Sequence, residues 1–341
     1  MNILVTGGAG YIGSHVVKQL LEETNHKITI IDNLSTGSIK TVNTLKEIAK
    51  HVNKENNLSF IEADLSNFSL IEGIFKAKNF DAVIHFAASI VVPESVKNPI
   101  KYYMNNTVNT TNLIKLCIEN NVNKFIFSST AAVYGEPDEI PVRETTPTNP
   151  INPYGMSKLM SENVLKDCGI AYKDFKYIIL RYFNVAGADI KIRIGQRFPN
   201  ATHLIKVAAE TAVGKRDKIY IFGTDYPTKD GTCIRDFIHV DDLADAHIKA
   251  LDYLTENNKS NIFNCGYGKG YSVLEVINTM KEVSGVDFKV EITGRREGDP
   301  AILIADNTKI KEEMSWQPKY DDLKIICKTA FEWEKKLLNE S

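Results

Sequence analysis

MNILVTGGAGYIG, residues 1–13, opens on Ile3-Leu4-Val5, a short apolar run with no polar break. Such a run suits a strand buried on both faces. At Thr6-Gly7-Gly8 the chain must turn sharply, and residues 11–21 then carry helical apolar periodicity. Gly8, Gly10 and Gly13 form G-x-G-x-x-G, while Gly7, Gly10 and Gly13 form G-x-x-G-x-x-G. Strand, glycine turn and helix in that order predict a pyrophosphate cradle. The glycines permit the tight turn, close backbone approach and close helix packing, and the helix start offers unpaired N–H groups. Asp32 ends the next apolar run, Ile28-Thr29-Ile30-Ile31, 19 residues beyond Gly13. A carboxylate there can bind the adenosine ribose hydroxyls and would repel a 2′-phosphate, which favours NAD over NADP.

The chain has 341 residues, enough for a large core and two lobes. A hydrophobic share of 43% and a charged share of 25% are ordinary for a soluble globular protein. The net charge of −2, with no basic cluster, points away from nucleic acid and from anionic membranes. Cys117, Cys168, Cys233, Cys265 and Cys327 are scattered with no C-x-x-C. That pattern suits reduced cytoplasmic thiols and argues against a disulfide framework or a metal site. No signal peptide and no membrane span are expected, and no internal repeat is visible.

Strand and helix patterns alternate through the first half. Residues 58–63, 81–86 and 124–130 read as further strands, and Asp64 falls where ligands of nucleotide sheets bind. Asp64 reads either as a hydrogen-bonding partner for adenine or as an N-cap for a helix near Ser66. A helix is expected from Tyr102 to Glu119. The alternation predicts right-handed β-α-β units and one parallel sheet. The expected fold is therefore α/β, a Rossmann-type doubly wound parallel sheet over residues 1–183 with returns from the C-terminal half. Residues 184–341 would form mainly a smaller α/β substrate-binding lobe. Asp241 and Asp242 read as helix-start groups, and Ser272 with Glu275 as a capping box.

A proline-rich loop, residues 136–153, leads to Tyr154-Gly155-Met156-Ser157-Lys158 at the start of a helix. Tyr154 and Lys158 stand at i and i+4 on one face. A phenol has a pKa near 10. A lysine ammonium, a nicotinamide cation and a hydrogen bond from Thr130 would each favour its phenolate. Tyr154 is thus a candidate base at neutral pH.

With the glycine turn, Asp32, Ser129-Thr130 and Tyr154-x-x-x-Lys158 all in order, the chain resembles the extended short-chain dehydrogenase/reductase family over nearly its full length. The likeness includes DNLSTG (32–37), HFAA (85–88), YYMNN (102–106), SSTAAVYG (128–135) and RYFNVAGA (181–188). It continues through IFGTDYPTKDGTCIRDFIHVDDLADAH (221–247) and RREGDPA (295–301), which lie outside a generic nucleotide fold. The resemblance implies NAD as cofactor. It implies that Gly7, Gly10, Tyr11, Ile12, Gly13, Asp32, Asn33, Leu34, Ser35, Thr36, Gly37, Asp64, Leu65, Phe86, Ala87, Ala88, Ser89, Ile90, Asn105, Ser128, Tyr154, Lys158, Tyr182 and Phe183 line it. Tyr154 would be the base, with Lys158 and Thr130 as its partners in catalysis. Thr130, Tyr154, Asn184, His203, Leu204, Tyr220, Ile221, Phe222, Arg235, Arg296, Asp299 and Leu303 would hold a UDP-hexose. Arginines suit that role because a guanidinium binds diphosphate oxygens bidentately. The plainer reading of Arg235 and Arg296 is a surface ion pair with Asp236 or Glu297.

Two positions depart from the family pattern. Many members carry a lysine where this chain has Ile90. Leu303, seven residues after Arg296, lies where a tyrosine goes with simple hexoses and a smaller residue with N-acetylated ones. The implied reaction is interconversion of UDP-glucose and UDP-galactose by C4 oxidation, rotation and reduction, extending to UDP-N-acetylhexoses. Related dehydratases and decarboxylases carry an acidic residue just after the threonine. Here Ala131-Ala132 follow Thr130. A non-catalytic NAD or nucleotide-sugar sensor is the alternative from another class. The resemblance also implies a homodimer built on the helix after Asn105 and the helix bearing Tyr154. Both have apolar positions to spare: Val108, Leu113 and Leu116 on one, Leu159, Val164 and Leu165 on the other.

Overall fold

The computed structural model describes residues 1–296 and 299–340. Its strands are, in chain order, β1 (Asn2–Thr6), β2 (Lys27–Asp32), β3 (Leu58–Glu62), β4 (Ala82–His85), β5 (Lys124–Thr130), β6 (Lys176–Tyr182) and β7 (Asn184–Ala186). There follow β8 (Ile219–Phe222), β9 (Ile234–Arg235), β10 (Phe237–His239), β11 (Asn261–Cys265), β12 (Tyr271–Ser272), β13 (Val290–Thr293) and β14 (Ile302–Leu303). The chain divides into two compact units. The first comprises Met1–Tyr134, Thr148–Arg181 and Ala244–Phe263, the second Gly135–Pro147, Tyr182–Leu243 and Asn264–Ser341.

The first unit is built on a seven-stranded sheet in the order β11-β6-β5-β4-β1-β2-β3. β1 pairs in parallel with β2 and β4, β2 with β3, and β4 with β5. This is the Rossmann order, with its switch point between β1 and β4. Helices α1 (Tyr11–Glu23), α2 (Ile39–His51), α3 (Phe68–Ala77), α4 (Val92–Lys97), α5 (Pro99–Tyr102), α6 (Asn109–Glu119) and α7 (Pro153–Ala171) belong to this unit. Leu4, Val83, Phe125, Phe127, Leu113, Leu165 and Ile179 meet in one core. Each such side chain contributes roughly 1.5–3 kcal/mol through burial.

Local chemistry sets the helix starts. Ser38 Oγ accepts from Lys40 N at 3.2 Å to begin α2. Asn152 Oδ1 accepts from Gly155 N at 2.9 Å, and Pro153 takes the first position of α7. The N-cap of α3 is Asn67, whose Oδ1 accepts from Leu70 N, so the capping role expected of Asp64 falls elsewhere. Asp64 instead accepts from Ser66 N at 2.8 Å and from Asn33 Nδ2 at 2.7 Å. The helix expected over residues 102–119 has a π-helical turn, Tyr103–Val108, before α6. The wider turn lets neighbouring side chains serve one target. Asn105 Nδ2 donates to Ser89 Oγ at 3.0 Å and Asn106 Nδ2 to Ser89 O at 2.9 Å.

In the second unit, β7 pairs with β10 and β8 with β13, both in parallel, and β9 lies between β12 and β14. Helices α8 (Leu204–Ala212), α9 (Val240–Asn257), α10 (Val273–Ser284), α11 (Thr308–Met314) and α12 (Leu323–Leu338) complete the chain. α9 starts in this unit and continues in the first. The capping box at Ser272 and Glu275 forms. Asp242 at the start of α9 accepts from the Tyr267 hydroxyl at 2.5 Å and from Lys319 N and Tyr320 N, each at 2.8 Å, and so holds loops. Asp241 accepts from Ile190 N at 3.2 Å.

Candidate active site

The glycine turn follows β1 directly. Gly7 has φ +72°, and a Cβ there would lie 2.7 Å from the backbone N of Ala87. A Cβ on Gly13 would lie 2.4 Å from Gly7 O, which accounts for helix α1 packing so near the turn. Gly10 is the N-cap of α1 and no side chain caps it. The cradle is thus shaped by absent side chains, and it fits a pyrophosphate. Asp32 is buried. Its carboxylate accepts from Ala9 N at 3.0 Å and from Leu34 N at 2.8 Å. Burial pushes its pKa up, and those backbone bonds oppose the shift. A carboxylate has about four acceptor sites, so capacity for ribose hydroxyls remains.

Asn33 lies between Asp64, to which it donates, and Ser35, whose N and Oγ donate to its Oδ1 at 3.0 and 2.7 Å. Ser35 and Thr36 are exposed, and a Cβ on Gly37 would meet Asp32 Oδ1 at 2.9 Å. Tyr11 and Ile12 at the start of α1, and Phe86, Ala87, Ala88 and Ser89 just after β4, are half-buried, Leu65 is buried, and Ile90 is exposed. Tyr182 and Phe183 fall in the second unit, apart from the other cofactor candidates in the chain's division.

Tyr154 and Lys158 project from the first turns of α7 beside the end of β5. The Thr130 hydroxyl bonds the Tyr154 phenol, and Ala132 N donates to Thr130 Oγ1 at 3.1 Å. Lys158 is buried, its Nζ 5.0 Å from the centroid of the Phe127 ring. Burial pulls its pKa down to about 7, against an opposing pull from Glu162. Burial also pushes the Tyr154 phenol up, and the Thr130 bond pulls it back. The Thr130 bond is thus the pull that opposes burial of the phenol.

Apart from Thr130 and Tyr154, the nucleotide-sugar candidates fall in the second unit. Arg235 Nη2 stands 3.5 Å from Asp299 Oδ1, and Leu303 pairs with Arg235 across β9 and β14. Asp236 is not an ion-pair partner of Arg235. It is buried and accepts from Tyr267 N, Gly268 N and Ala305 N at 2.8, 2.9 and 3.2 Å. The Arg296 guanidinium lies 3.8 Å from the Phe222 ring centroid, next to Tyr220 and Ile221 on β8. Glu297, the other ion-pair candidate, lies outside the described residues. Asn184 N donates to Asp236 O at 3.0 Å. His203 is the N-cap of α8, with Leu204 first in the helix, and desolvation holds its imidazole below the usual value.

Sequence reading missed two groups close to this machinery. Asn106 accepts from Ser89 N at 2.7 Å and donates to Ser157 Oγ at 3.0 Å, joining the end of β4 to α7. The Asn105-Asn106 pair was a visible signal, but its meaning depends on the π-helical turn. The other is Glu162, one turn beyond Lys158.

A dinucleotide cradle followed by a tyrosine–lysine pair at the β5–α7 junction defines a Rossmann-type, nicotinamide-dependent class of protein. The model of the NAD dependent epimerase/dehydratase family matches residues 3–266. The chain belongs to that family, and its cofactor is NAD. A UDP-glucose 4-epimerase of Azospirillum brasilense is 49% identical over 335 residues, covering 98% of this chain and 92% of that one. The UDP-Glc/GlcNAc 4-epimerase structure from Campylobacter jejuni has 61% identity and a TM-score of 0.84, covering 98% of this chain and 99% of that one. A UDP-glucose-4-epimerase structure from Stenotrophomonas maltophila, with bound NAD and formylated UDP-arabinopyranose, has 36% identity and a TM-score of 0.95, with 100% of both chains covered.

Proposed function

We propose that this protein is an isomerase that interconverts UDP-glucose and UDP-galactose and also accepts their N-acetylated counterparts. The observation that carries the reading is the convergence of Thr130, Tyr154 and Lys158 at the strand end that follows the glycine cradle. Tyr154 takes the proton of the sugar 4-hydroxyl, and Thr130 stabilises the phenolate. Lys158 holds its end of α7 on β5 and supplies positive charge near the phenol. When bound, NAD accepts the hydride from C4 and later gives it back. The intervening 4-keto sugar must turn over while its UDP stays held. Arg235 and Arg296 suit the diphosphate, and Phe222 and Tyr220 offer apolar surface to the nucleoside. No carboxylate follows Thr130 in Ala131-Ala132, which supports simple inversion over dehydration or decarboxylation.

The N-acetyl reading is supported by Leu303, smaller than a tyrosine and paired with Arg235, and by the likeness to the UDP-Glc/GlcNAc 4-epimerase. The test is to incubate the purified protein, without added NAD, with UDP-galactose and separately with UDP-N-acetylglucosamine. Formation of UDP-glucose and of UDP-N-acetylgalactosamine is expected. No conversion of either would leave a sensor, and a dehydrated product would replace the reaction class.

Two-fold association is part of the reading. Leu113, Leu116 and Leu165 are core residues, so they cannot serve an interface. Met104 and Val108 on the π-helical turn and Met160 on α7 are exposed instead. A dimer by light scattering that Met160→Glu converts to monomer is expected. Five free cysteines, four of them buried, support a reducing cytoplasmic setting. Among the described residues no helix is long and apolar enough to cross a membrane.

A further inference from the structure

Three successive residues at the end of β5 engage three residues along one face of α7. The Ser128 carbonyl accepts from Lys158 Nζ at 2.9 Å. The Ser129 hydroxyl donates to Glu162 Oε1 at 2.6 Å. The Thr130 hydroxyl bonds Tyr154. Tyr154, Lys158 and Glu162 stand at i, i+4 and i+8, so they form one stripe. The chemistry proposed above uses the first two and leaves Glu162 without a part.

Glu162 is fully buried, and so is its main partner Arg181. Arg181 Nε donates to Oε1 at 2.9 Å and Nη2 donates to Oε2 at 2.6 Å. Arg181 Nη1 donates to the Tyr134 hydroxyl at 3.1 Å, and the guanidinium lies 5.0 Å from that ring's centroid. Lys166 Nζ, part-exposed, stands 3.6 Å from Oε2. Glu162 and Arg181 thus form a bidentate ion pair inside the core. Stability alone is a weak account of such a pair, because well-packed apolar residues in the same volume commonly do as well. What an apolar pair could not supply is negative charge one helical turn from the Lys158 ammonium.

We propose that Glu162 is a positioning residue for the Tyr154–Lys158 pair: its carboxylate docks α7 on β5 and keeps the buried Lys158 ammonium charged. The inference rests on the catalytic reading of Tyr154 and Lys158. The other groups around Lys158 do not replace Glu162. His85 on β4 is buried neutral between Thr6 and Thr110, its pKa lowered to about 3. Tyr102 on α5 meets the Tyr154 ring edge-on, and its single hydroxyl hydrogen has Val91 O at 2.7 Å and Glu94 Oε2 of α4 at 2.9 Å as acceptors. Asn106 and Ser157 are uncharged, and Arg181 and Lys166 carry the same sign as Lys158. Among the described residues, Glu162 is the one carboxylate that opposes the desolvation of this ammonium.

The test follows the Lys158 titration in holoenzyme labelled with [ε-13C]lysine, its signal assigned by loss in Lys158→Met. In Glu162→Gln the midpoint is expected to fall by on the order of one pH unit. The alkaline limb of UDP-galactose turnover moves down with it. Glu162→Asp, which keeps the charge, returns both toward wild type. Ser129→Ala, which removes a hydrogen bond and no charge, leaves the Lys158 midpoint in place. A folded Glu162→Gln holoenzyme with the wild-type midpoint overturns the proposal. Should that variant not fold, Glu162→Gln combined with Arg181→Met removes both charges. It is judged the same way: a lowered midpoint supports the proposal and an unchanged one overturns it. If Tyr154→Phe retained turnover the catalytic reading would fail, while the Lys158 midpoint would still report on Glu162.

Discussion

Lys158 Nζ donates to the Ser128 carbonyl across 2.9 Å, in a pocket where burial has drawn the amine down to about pH 7. The pairing fixes the amine but does not repay its desolvation. The folded pKa lies below the ordinary 10.5, so the unfolded chain holds more protons between pH 7 and 10.5. Lys158 therefore weakens the fold below pH 7, and that penalty fades as pH rises through this window. At about 1.4 kcal/mol per unit the effect is on the order of a few kcal/mol. Lys158→Met removes the buried charge and orphans one carbonyl, which costs roughly 1–3 kcal/mol. The variant is expected to melt no lower than wild type at neutral pH and to lack the rise in stability toward alkaline pH. Its turnover is expected to collapse. Melting curves across pH check the first claim, and a large drop in melting temperature at neutral pH would defeat it.

Tyr154→Phe keeps the ring and removes the base. Turnover is expected to fall by about 10²–10⁴-fold, the scale of general base catalysis, with NAD still released on denaturation in wild-type amount. Turnover close to wild type would take Tyr154 out of that role.

Thr130→Val removes the hydroxyl that favours the phenolate and keeps the β-branched shape. Burial already holds the Tyr154 pKa high, so losing the bond raises it further. The base must be deprotonated, so the acidic limb of the pH–rate profile moves to higher pH. At neutral pH a net loss of about 1 kcal/mol, roughly fivefold in rate, is expected. An unmoved limb would mean that Thr130 does not tune Tyr154.

Gly7→Ala tests the cradle. Its Cβ meets main-chain atoms of Ala87, which cannot swing aside, and the positive φ adds strain. A destabilisation of at least about 1–3 kcal/mol and loss of copurified NAD are expected. Gly73, with nothing within 4 Å of its Cβ position, is the control: Gly73→Ala on α3 should fold at least as well as wild type.

His85 governs behaviour in acid. Its folded pKa of about 3 lies below the ordinary 6.5, so the unfolded state binds the extra proton between those values. Stability present above pH 6.5 is lost as pH falls toward 3. His85→Gln, which can keep a bond to Thr6 or Thr110, is expected to flatten that loss in denaturant titrations. An equally steep acid transition in the variant would assign it to other groups.

The parts legible along the chain are those whose physics is local. The glycine turn, the parallel alternation, the Ser272–Glu275 box and the shared face of Tyr154 and Lys158 each depend on residues a few positions apart. Spacing along one element then becomes spacing in space. Other features depend on what folding brings alongside, and no spacing announces it. Asp64 reads along the chain as either an adenine partner or a cap; the cap of α3 is Asn67, because cap choice turns on where the strand releases the chain. Asp236 looked like a partner for Arg235, yet three amides from distant loops claim it. Residues 244–263 rejoin the first sheet after a long excursion, since β11 finds its edge beside β6. The Glu162–Arg181 pair joins a helix to a strand 19 residues away, and the same burial that hides it gives its charge the reach to act on Lys158.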